Sequence, residues 1–169
     1  GADESTFPEG FGIELKKGST IRFAMHYHKE AGPGTGTYDS SQIGMQFQDE
    51  PATHPVEIST IDHGAFEIPP MHNRWRVGAS RTFDEDTYLL SMLPHMHLRG
   101  TAARYTAFFP DGTSEELLEV PSWDFNWQTG YGYPEPRVLP AGTRIEMELV
   151  FDNSDAQAAK GGFNPNRSI

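Results

Sequence analysis

Residues 102–120, AARYTAFFPDGTSEELLEV, decide the fold class. Two strand-like runs, 102–109 and 115–120, flank the tetrapeptide Pro110-Asp111-Gly112-Thr113. Proline fixes its own φ and glycine tolerates a positive φ, so this tetrapeptide has the residues that a hairpin turn requires. The stretch therefore predicts two antiparallel strands joined by a tight turn.

The same pattern continues along the rest of the chain. Strand-like runs alternate at short intervals with Gly, Pro, Asn and Asp, and Pro140-Ala141-Gly142 is a second candidate turn. No helical periodicity persists beyond about ten residues. We therefore expect an all-β protein, an antiparallel jelly-roll β-sandwich with little helix. The other candidate strands are 19–28, 42–48, 56–61, 75–83, 87–93, 125–129 and 143–151.

The length of 169 residues predicts a single domain, residues 1–169, that can bury a core without disulfides. Residues 152–169 show no periodicity, and we expect an irregular tail there. The tryptophans, with Tyr105, Phe108 and Phe125, are expected to fill the space between two sheets. Arg99 is expected to form an ion pair at the surface.

Two His-x-His pairs carry the chemistry of the sequence. His26 and His28 flank Tyr27, and His95 and His97 flank Met96 in the string LPHMHLRG. In a strand, residues i and i+2 point to the same face, so both imidazoles of a pair can reach one metal ion. A single pair is more often two half-exposed strand histidines, but two pairs in one chain favour a metal site.

The absence of cysteine narrows the choice of metal. It excludes iron–sulfur clusters, thiolate zinc sites and blue-copper sites. Neutral imidazoles suit copper and zinc, and a methionine ligand would favour copper. Met25, Met92 and Met96 lie beside the histidine pairs, although packing is the more common role of methionine.

The charge of the chain argues against two classes of partner. The net charge is −11, from 24 acidic and 13 basic residues, and no cluster of Lys or Arg interrupts it. Nucleic acid and anionic membrane surfaces are therefore not expected as partners. No apolar stretch approaches the roughly 20 residues of a transmembrane helix, so we expect no membrane span.

Six strings along the chain carry a resemblance to a known family. They are FPEG at 7–10, MHY at 25–27, FEIPP at 66–70, LPHMHLRG at 93–100, DFNWQ at 124–128 and LPAGT at 139–143. Together they resemble the bacterial branch of the copper type II, ascorbate-dependent monooxygenases, which are relatives of peptidylglycine α-hydroxylating monooxygenase and dopamine β-monooxygenase. The resemblance covers nearly the whole chain, and LPHMHLRG and DFNWQ are its most specific parts.

The resemblance implies a copper-dependent monooxygenase domain that hydroxylates a C–H bond with dioxygen and a reductant such as ascorbate. The family has two jelly-roll domains with one copper each, and this chain resembles the C-terminal one. His95 and His97 match two ligands of the dioxygen-activating copper, which makes them the candidate catalytic residues. His26 matches a ligand of the electron-transfer copper. His28 has no general counterpart in the family and ranks below His26 as a metal ligand.

The chain departs from the family pattern at both copper sites. Neither the downstream methionine ligand nor the upstream domain with two further histidines is found in the 169 residues. We expect either a fragment, in which residues 1–30 reach back toward an upstream copper domain of the same or another chain, or a variant with altered metal chemistry. Water, a carboxylate, His63 or His72 could complete the ligand shell, although both histidines can simply be loop residues.

Three functions remain open. The first is the monooxygenase domain, acting on a small-molecule or peptide substrate in the periplasm or outside the cell. The second is a non-catalytic metal-binding or interaction jelly-roll module of a larger extracellular assembly. The third is a carbohydrate- or peptide-binding jelly roll in which the histidines are incidental.

Overall fold

The computed structural model describes residues 6–25, 27, 32–34, 36 and 38–169. Eight strands and one α-helix lie in these residues, and all but one of the strand pairs are antiparallel. The all-β prediction is therefore confirmed. The chain divides into two compact units, residues 1–58 and 59–169, and a single domain over residues 1–169 stays a prediction.

The first unit contains a short parallel strand pair. Strand β1 (Phe11–Gly12) pairs with β2 (His54–Pro55). The His54 N–H donates to the Gly10 carbonyl at 2.9 Å, and the rings of Phe11 and His54 stack with their centroids 4.8 Å apart. A side-chain amide adds to the pair, since Gln48 Nε2 donates to the Phe11 carbonyl at 2.8 Å.

Four candidate strands of the sequence analysis are not found. The described residues of 19–28 and 42–48, and all of 56–61 and 125–129, form no strand. Ile21, Phe23, Ile43 and Phe47 in these segments are exposed. Apolar side chains that remain in solvent give a segment no burial that would favour strand pairing, so composition alone was misleading there.

The second unit is a two-layer sandwich of six strands. Four strands form an antiparallel sheet in the order β3-β8-β5-β6, and β4 pairs antiparallel with β7. Side chains from both sheets share one hydrophobic core. The strands are β3 (Trp75–Thr82), β4 (Thr87–Met92), β5 (Gly100–Phe108), β6 (Ser114–Val120), β7 (Tyr131–Leu139) and β8 (Arg144–Phe151).

Three of the four antiparallel pairs of this unit are nested, since β5 pairs with β6, β4 with β7 and β3 with β8, while the fourth pair joins β5 to β8. The innermost pair is joined by the turn predicted at residues 110–113, where Gly112 has a φ of +87°. The Phe109 N–H donates to the Thr113 carbonyl at 2.8 Å, which confirms the hairpin. A jelly roll usually has eight strands and residues 59–169 have six, so that topology stays a prediction.

The core follows the two-residue alternation of the central strands. In β5, Ala103, Tyr105 and Ala107 point inward, and in β8 every second residue from Ile145 to Phe151 does so. Trp123 is buried with them, as predicted. Phe125 and Trp127 are exposed, the latter by 71%, so the prediction that both are core residues is wrong.

A short helix replaces part of the expected irregular tail. Helix α1 (Asp155–Gly161) is capped by Ser154, whose side chain accepts from the Gln157 N–H at 3.4 Å. At its end Gly162 has a φ of +67° and donates to the Ala158 carbonyl at 2.8 Å. The rest of 152–169 forms neither helix nor strand. Within the described part of the chain, no helix has the length and hydropathy of a membrane-spanning segment.

Four connecting segments meet at one end of the sandwich, which we call the histidine end. The first residues of β3 and β5, Trp75 and Gly100, both pair with Phe151, the last residue of β8. The last residue of β4, Met92, pairs with Tyr131, the first residue of β7. The histidine end therefore consists of the segments 66–74, 93–99, 121–130 and 152–169.

Candidate metal centre

His95 and His97 lie in the connection between β4 and β5 and not in a strand, so the prediction of a common strand face is wrong in that respect. The segment still alternates, because Pro94 and Met96 are buried while His95 and His97 are exposed. The ring centroids of the two histidines are 5.2 Å apart, with the ring planes at 89°. Two neighbouring imidazoles are thus available to solvent.

Met96 and Gly100 pack beneath the histidine pair. The Met96 side chain is only 2% exposed. A Cβ on Gly100 would lie 2.5 Å from the Met96 Cβ and 3.0 Å from Trp123 Cε3. Only glycine allows such a close approach without displacing its neighbours. The Met-x-x-x-Gly spacing therefore holds the backbone of the pair against the core.

Hydrogen bonds to main-chain carbonyls hold the segment 93–99 on both sides of the histidines. On one side, the buried Trp123 Nε1 donates to the Pro94 carbonyl at 3.2 Å. On the other, the Gly100 N–H donates to the His97 carbonyl at 2.7 Å and closes a turn. The Trp123 N–H also donates to the Thr101 carbonyl at 2.8 Å, which joins the segment 121–130 to the start of β5.

Arg99 is buried, and among the described residues it has no ion pair of the kind expected at the surface. The residue is 8% exposed, and burial lowers the pKa of its guanidinium. Its Nε donates to Asn153 Oδ1 at 2.8 Å, and its guanidinium carbon lies 3.9 Å from the centroid of the Phe163 ring. An amide oxygen and a cation–π contact thus take the place of a carboxylate partner.

The methionines nearest the pair serve in packing, as predicted. Met96 belongs to the buried core, and Met92 packs against that core with its sulfur 3.6 Å from Tyr133 Oη. Met25, which belongs to the first unit, is exposed. Met96 is therefore not presented to solvent beside the two imidazoles, and Met92 is only partly exposed.

The described residues offer no complete ligand shell. No group of three or more His, Cys, Asp or Glu side chains within them could hold a metal ion. His63 and His72 are exposed, and His72 Nδ1 accepts from the Arg74 N–H at 3.3 Å. His26 and His28 lie outside the described residues. The pair thus offers two imidazole nitrogens of the kind that copper and zinc bind, without a third such side chain beside them in the described residues.

Asn153 and Phe163 contribute to the site in a way that the sequence analysis missed. Asn153 is fully buried, lies 54 residues from Arg99 in the sequence and accepts the hydrogen bond from its Nε. No local pattern links residues this far apart. The helix between Asn153 and Phe163 could have been inferred, because Ser154 and Gln157 have the spacing of a capping box.

Comparison of the chain with protein-family models, curated proteins and solved structures finds no match.

Proposed function

We propose that this chain is a copper-dependent monooxygenase domain in which His95 and His97 bind the copper that reacts with dioxygen. The observation that carries the proposal is the exposed pair of imidazoles with ring centroids 5.2 Å apart. The string LPHMHLRG, which resembles the corresponding motif of copper type II monooxygenases, supports it. The reaction is the hydroxylation of a C–H bond with dioxygen and a reductant such as ascorbate.

The donor set fits this chemistry in part. Imidazole nitrogens are suitable copper ligands, and a copper with only two protein ligands keeps open positions for dioxygen and for further donors. Bound copper would supply the redox chemistry. His95 and His97 hold it at the surface, where a small-molecule or peptide substrate can approach. Met96 and Gly100 keep the two rings on the outer side of the segment.

The rest of the catalytic machinery lies with a partner. An upstream copper domain of the same or another chain would deliver electrons, and His26, with or without His28, would belong to that electron-transfer centre. This assignment rests on the resemblance of Met25-His26-Tyr27 to the family. A periplasmic or extracellular location belongs to the same proposal.

A second candidate function is a non-catalytic copper- or zinc-binding module of a larger extracellular assembly. The observation that favours it is the lack of a third His, Cys, Asp or Glu ligand beside the pair in the described residues. Both candidates require metal binding at His95 and His97. They differ in whether the bound metal reacts with a reductant and dioxygen.

Electron paramagnetic resonance of the protein loaded with Cu²⁺ tests the proposal. We expect hyperfine structure from two imidazole nitrogens that changes in His95→Gln and in His97→Gln. His63→Gln is the control, because His63 is also exposed but forms no group of three metal-ligating side chains with His95 and His97 in the described residues. Ascorbate should then abolish the Cu²⁺ signal, and air should restore it. An unchanged spectrum in both pair variants contradicts copper binding at this site, and failure of ascorbate to reduce the copper favours the non-catalytic module.

A further inference from the structure

We propose that residues 152–169, which we call the strap, set the spacing of the His95 and His97 rings, and that Arg99 is the positioning residue that transmits this effect. The inference rests on the proposed function, since it concerns the control of the same metal site. The strap follows β8 at the histidine end, where it contacts the segment 93–99 that carries the pair.

The first step is the environment of Arg99. Its Nε donates to Asn153 Oδ1 at 2.8 Å and its Nη2 to the Asn164 carbonyl at 3.2 Å, while its guanidinium lies over the Phe163 ring. None of the ion pairs found in the described residues includes Arg99. A buried guanidinium is tolerated only when its N–H groups have partners. All three of these partners belong to the strap.

Asn153 connects this contact to the segment before β3. Its Nδ2 donates to the carbonyls of Pro69 and Arg167, both at 2.9 Å. Its backbone N–H donates to the His72 carbonyl at 2.7 Å. One buried amide therefore joins the start of the strap, its far end and the segment 66–74, and it presents its oxygen to Arg99.

The strap also holds the backbone directly after the second histidine. The Asp152 N–H donates to the Arg99 carbonyl at 2.8 Å, and Gln157 Nε2 donates to the Leu98 carbonyl at 3.2 Å. Leu98 and Arg99 follow His97 without an intervening residue. The position of the His97 ring therefore depends on these two hydrogen bonds to the Leu98 and Arg99 carbonyls and on the side-chain contacts of Arg99 with the strap.

Two glycines explain how Phe163 reaches Arg99. Gly162 adopts a left-handed conformation that ends α1 and turns the chain. A Cβ on Gly161 would lie 2.9 Å from Cδ1 and Cε1 of the Phe163 ring, so that ring occupies space that only glycine leaves free. The string Gly161-Gly162-Phe163 thus directs an aromatic ring onto the guanidinium.

The order of the strap depends on its contacts with the rest of the second unit. Its helix has only seven residues, and a helix that short is not stable without tertiary contacts. Metal affinity and docking of the strap are therefore coupled, and by linkage the coupling is reciprocal. Copper at the pair should stabilise the docked strap as much as the docked strap favours copper binding.

The test compares Arg99→Lys and Phe163→Leu with Arg104→Lys, in which an exposed arginine paired with Glu119 is changed in the same way. In the metal-free protein, we expect nuclear Overhauser contacts between the His95 and His97 rings in wild type and in Arg104→Lys. These contacts should weaken in both strap variants, and strap amides should exchange faster with solvent. Cu²⁺ should bind the strap variants about 10- to 100-fold more weakly, as for other residues that orient metal ligands.

The readouts separate this inference from the proposed function. If wild type binds no Cu²⁺ at the pair but the ring contacts still weaken in the strap variants, the strap positions the rings and the proposed function is wrong. The inference is overturned if both Phe163→Leu and Arg99→Lys keep the contacts between the two rings. Where Cu²⁺ binds, both variants would then also keep the wild-type spectrum and affinity. Phe163→Leu keeps the test valid if Arg99→Lys does not fold.

Discussion

Gly100 and Met96 are in such close contact that a Cβ on Gly100 would fall 2.5 Å from the Cβ of Met96. The contact places the start of β5 against the buried side of the segment 93–99, and the Trp123 ring lies on the same side. A glycine four residues after a buried methionine therefore determines where His95 and His97 emerge. The geometry of the candidate metal site depends on core packing as much as on the histidines themselves.

Gly100→Ala should destabilise the protein, because the added methyl group has no space. We expect the free energy of unfolding to fall by about 1–3 kcal/mol, as for other overpacked cores. Urea denaturation measures it. Gly132→Ala is the matched control, since a Cβ on Gly132 would meet nothing within 4 Å. Equal stability of the two variants would mean that the core around Met96 can accommodate a methyl group.

Met96→Ala should be far more harmful than Leu93→Ala, although the two residues are neighbours in one segment. Met96 is buried in the core, whereas Leu93 is 56% exposed. Removal of a buried methionine side chain leaves a cavity, and we expect a loss of about 2–5 kcal/mol. Leu93→Ala should stay within about 0.5 kcal/mol of wild type, as is usual at the surface. Thermal and urea unfolding of both variants decide the point, and similar losses would contradict the alternation seen in this segment.

Alkaline pH should destabilise the protein partly through Tyr105. Burial raises the pKa of its phenol to about 12 from the ordinary value of 10.0. Between pH 10 and 12 the unfolded chain binds fewer protons at this group than the folded chain does. The free energy of unfolding should therefore fall across that range by up to about 2–3 kcal/mol.

Tyr105→Phe tests this assignment, because it removes the proton while keeping the ring. The variant should lose less stability than wild type between pH 10 and 12 in urea unfolding experiments. Tyr38→Phe, which changes an exposed tyrosine, is the control. A stability profile of Tyr105→Phe that parallels wild type would show that the Tyr105 phenol does not contribute to the alkaline loss.

The sequence predicted the strands that carry clear alternation and missed the short strands β1 and β2 and the longer strand β7. Strand β7 includes Pro134 and Pro136, residues that argue against a strand because they cannot donate to a ladder. The structure accommodates them where the register shifts. Arg137 pairs with Leu89 and Gly132 with Ser91, so the prolines lie in the irregular stretch between two regular pairings.

The candidate strand at 125–129 was wrong for the opposite reason. Its aromatic residues favour a strand, but the local hydrogen bonds form a turn. Asp124 Oδ1 accepts from the Asn126 N–H at 2.7 Å, and the Asp124 carbonyl accepts from the Trp127 N–H at 3.0 Å. An aspartate whose side chain accepts from the N–H two residues later favours a turn, and here that preference outweighs the strand preference of the aromatic residues.

The candidate site was predictable only in its exposed part. The spacing of His95 and His97 indicated two neighbouring imidazoles, and they are neighbours. The support beneath them was not predictable, because Arg99 and Asn153 are brought together by the pairing of β5 with β8. Pairing across such a separation leaves no periodic pattern in the sequence, unlike the alternation within a strand.

Copper counting tests the central claim most directly. Wild type, His95→Ala/His97→Ala and His63→Ala are dialysed to equilibrium against Cu²⁺ and analysed for copper per chain by mass spectrometry. Copper bound elsewhere, including at His26 and His28, is common to all three and cancels in the comparison. We expect the pair variant to hold one copper ion fewer than wild type, and His63→Ala to hold as many as wild type. Equal copper in wild type and in the pair variant would contradict the assignment of His95 and His97 as a metal site.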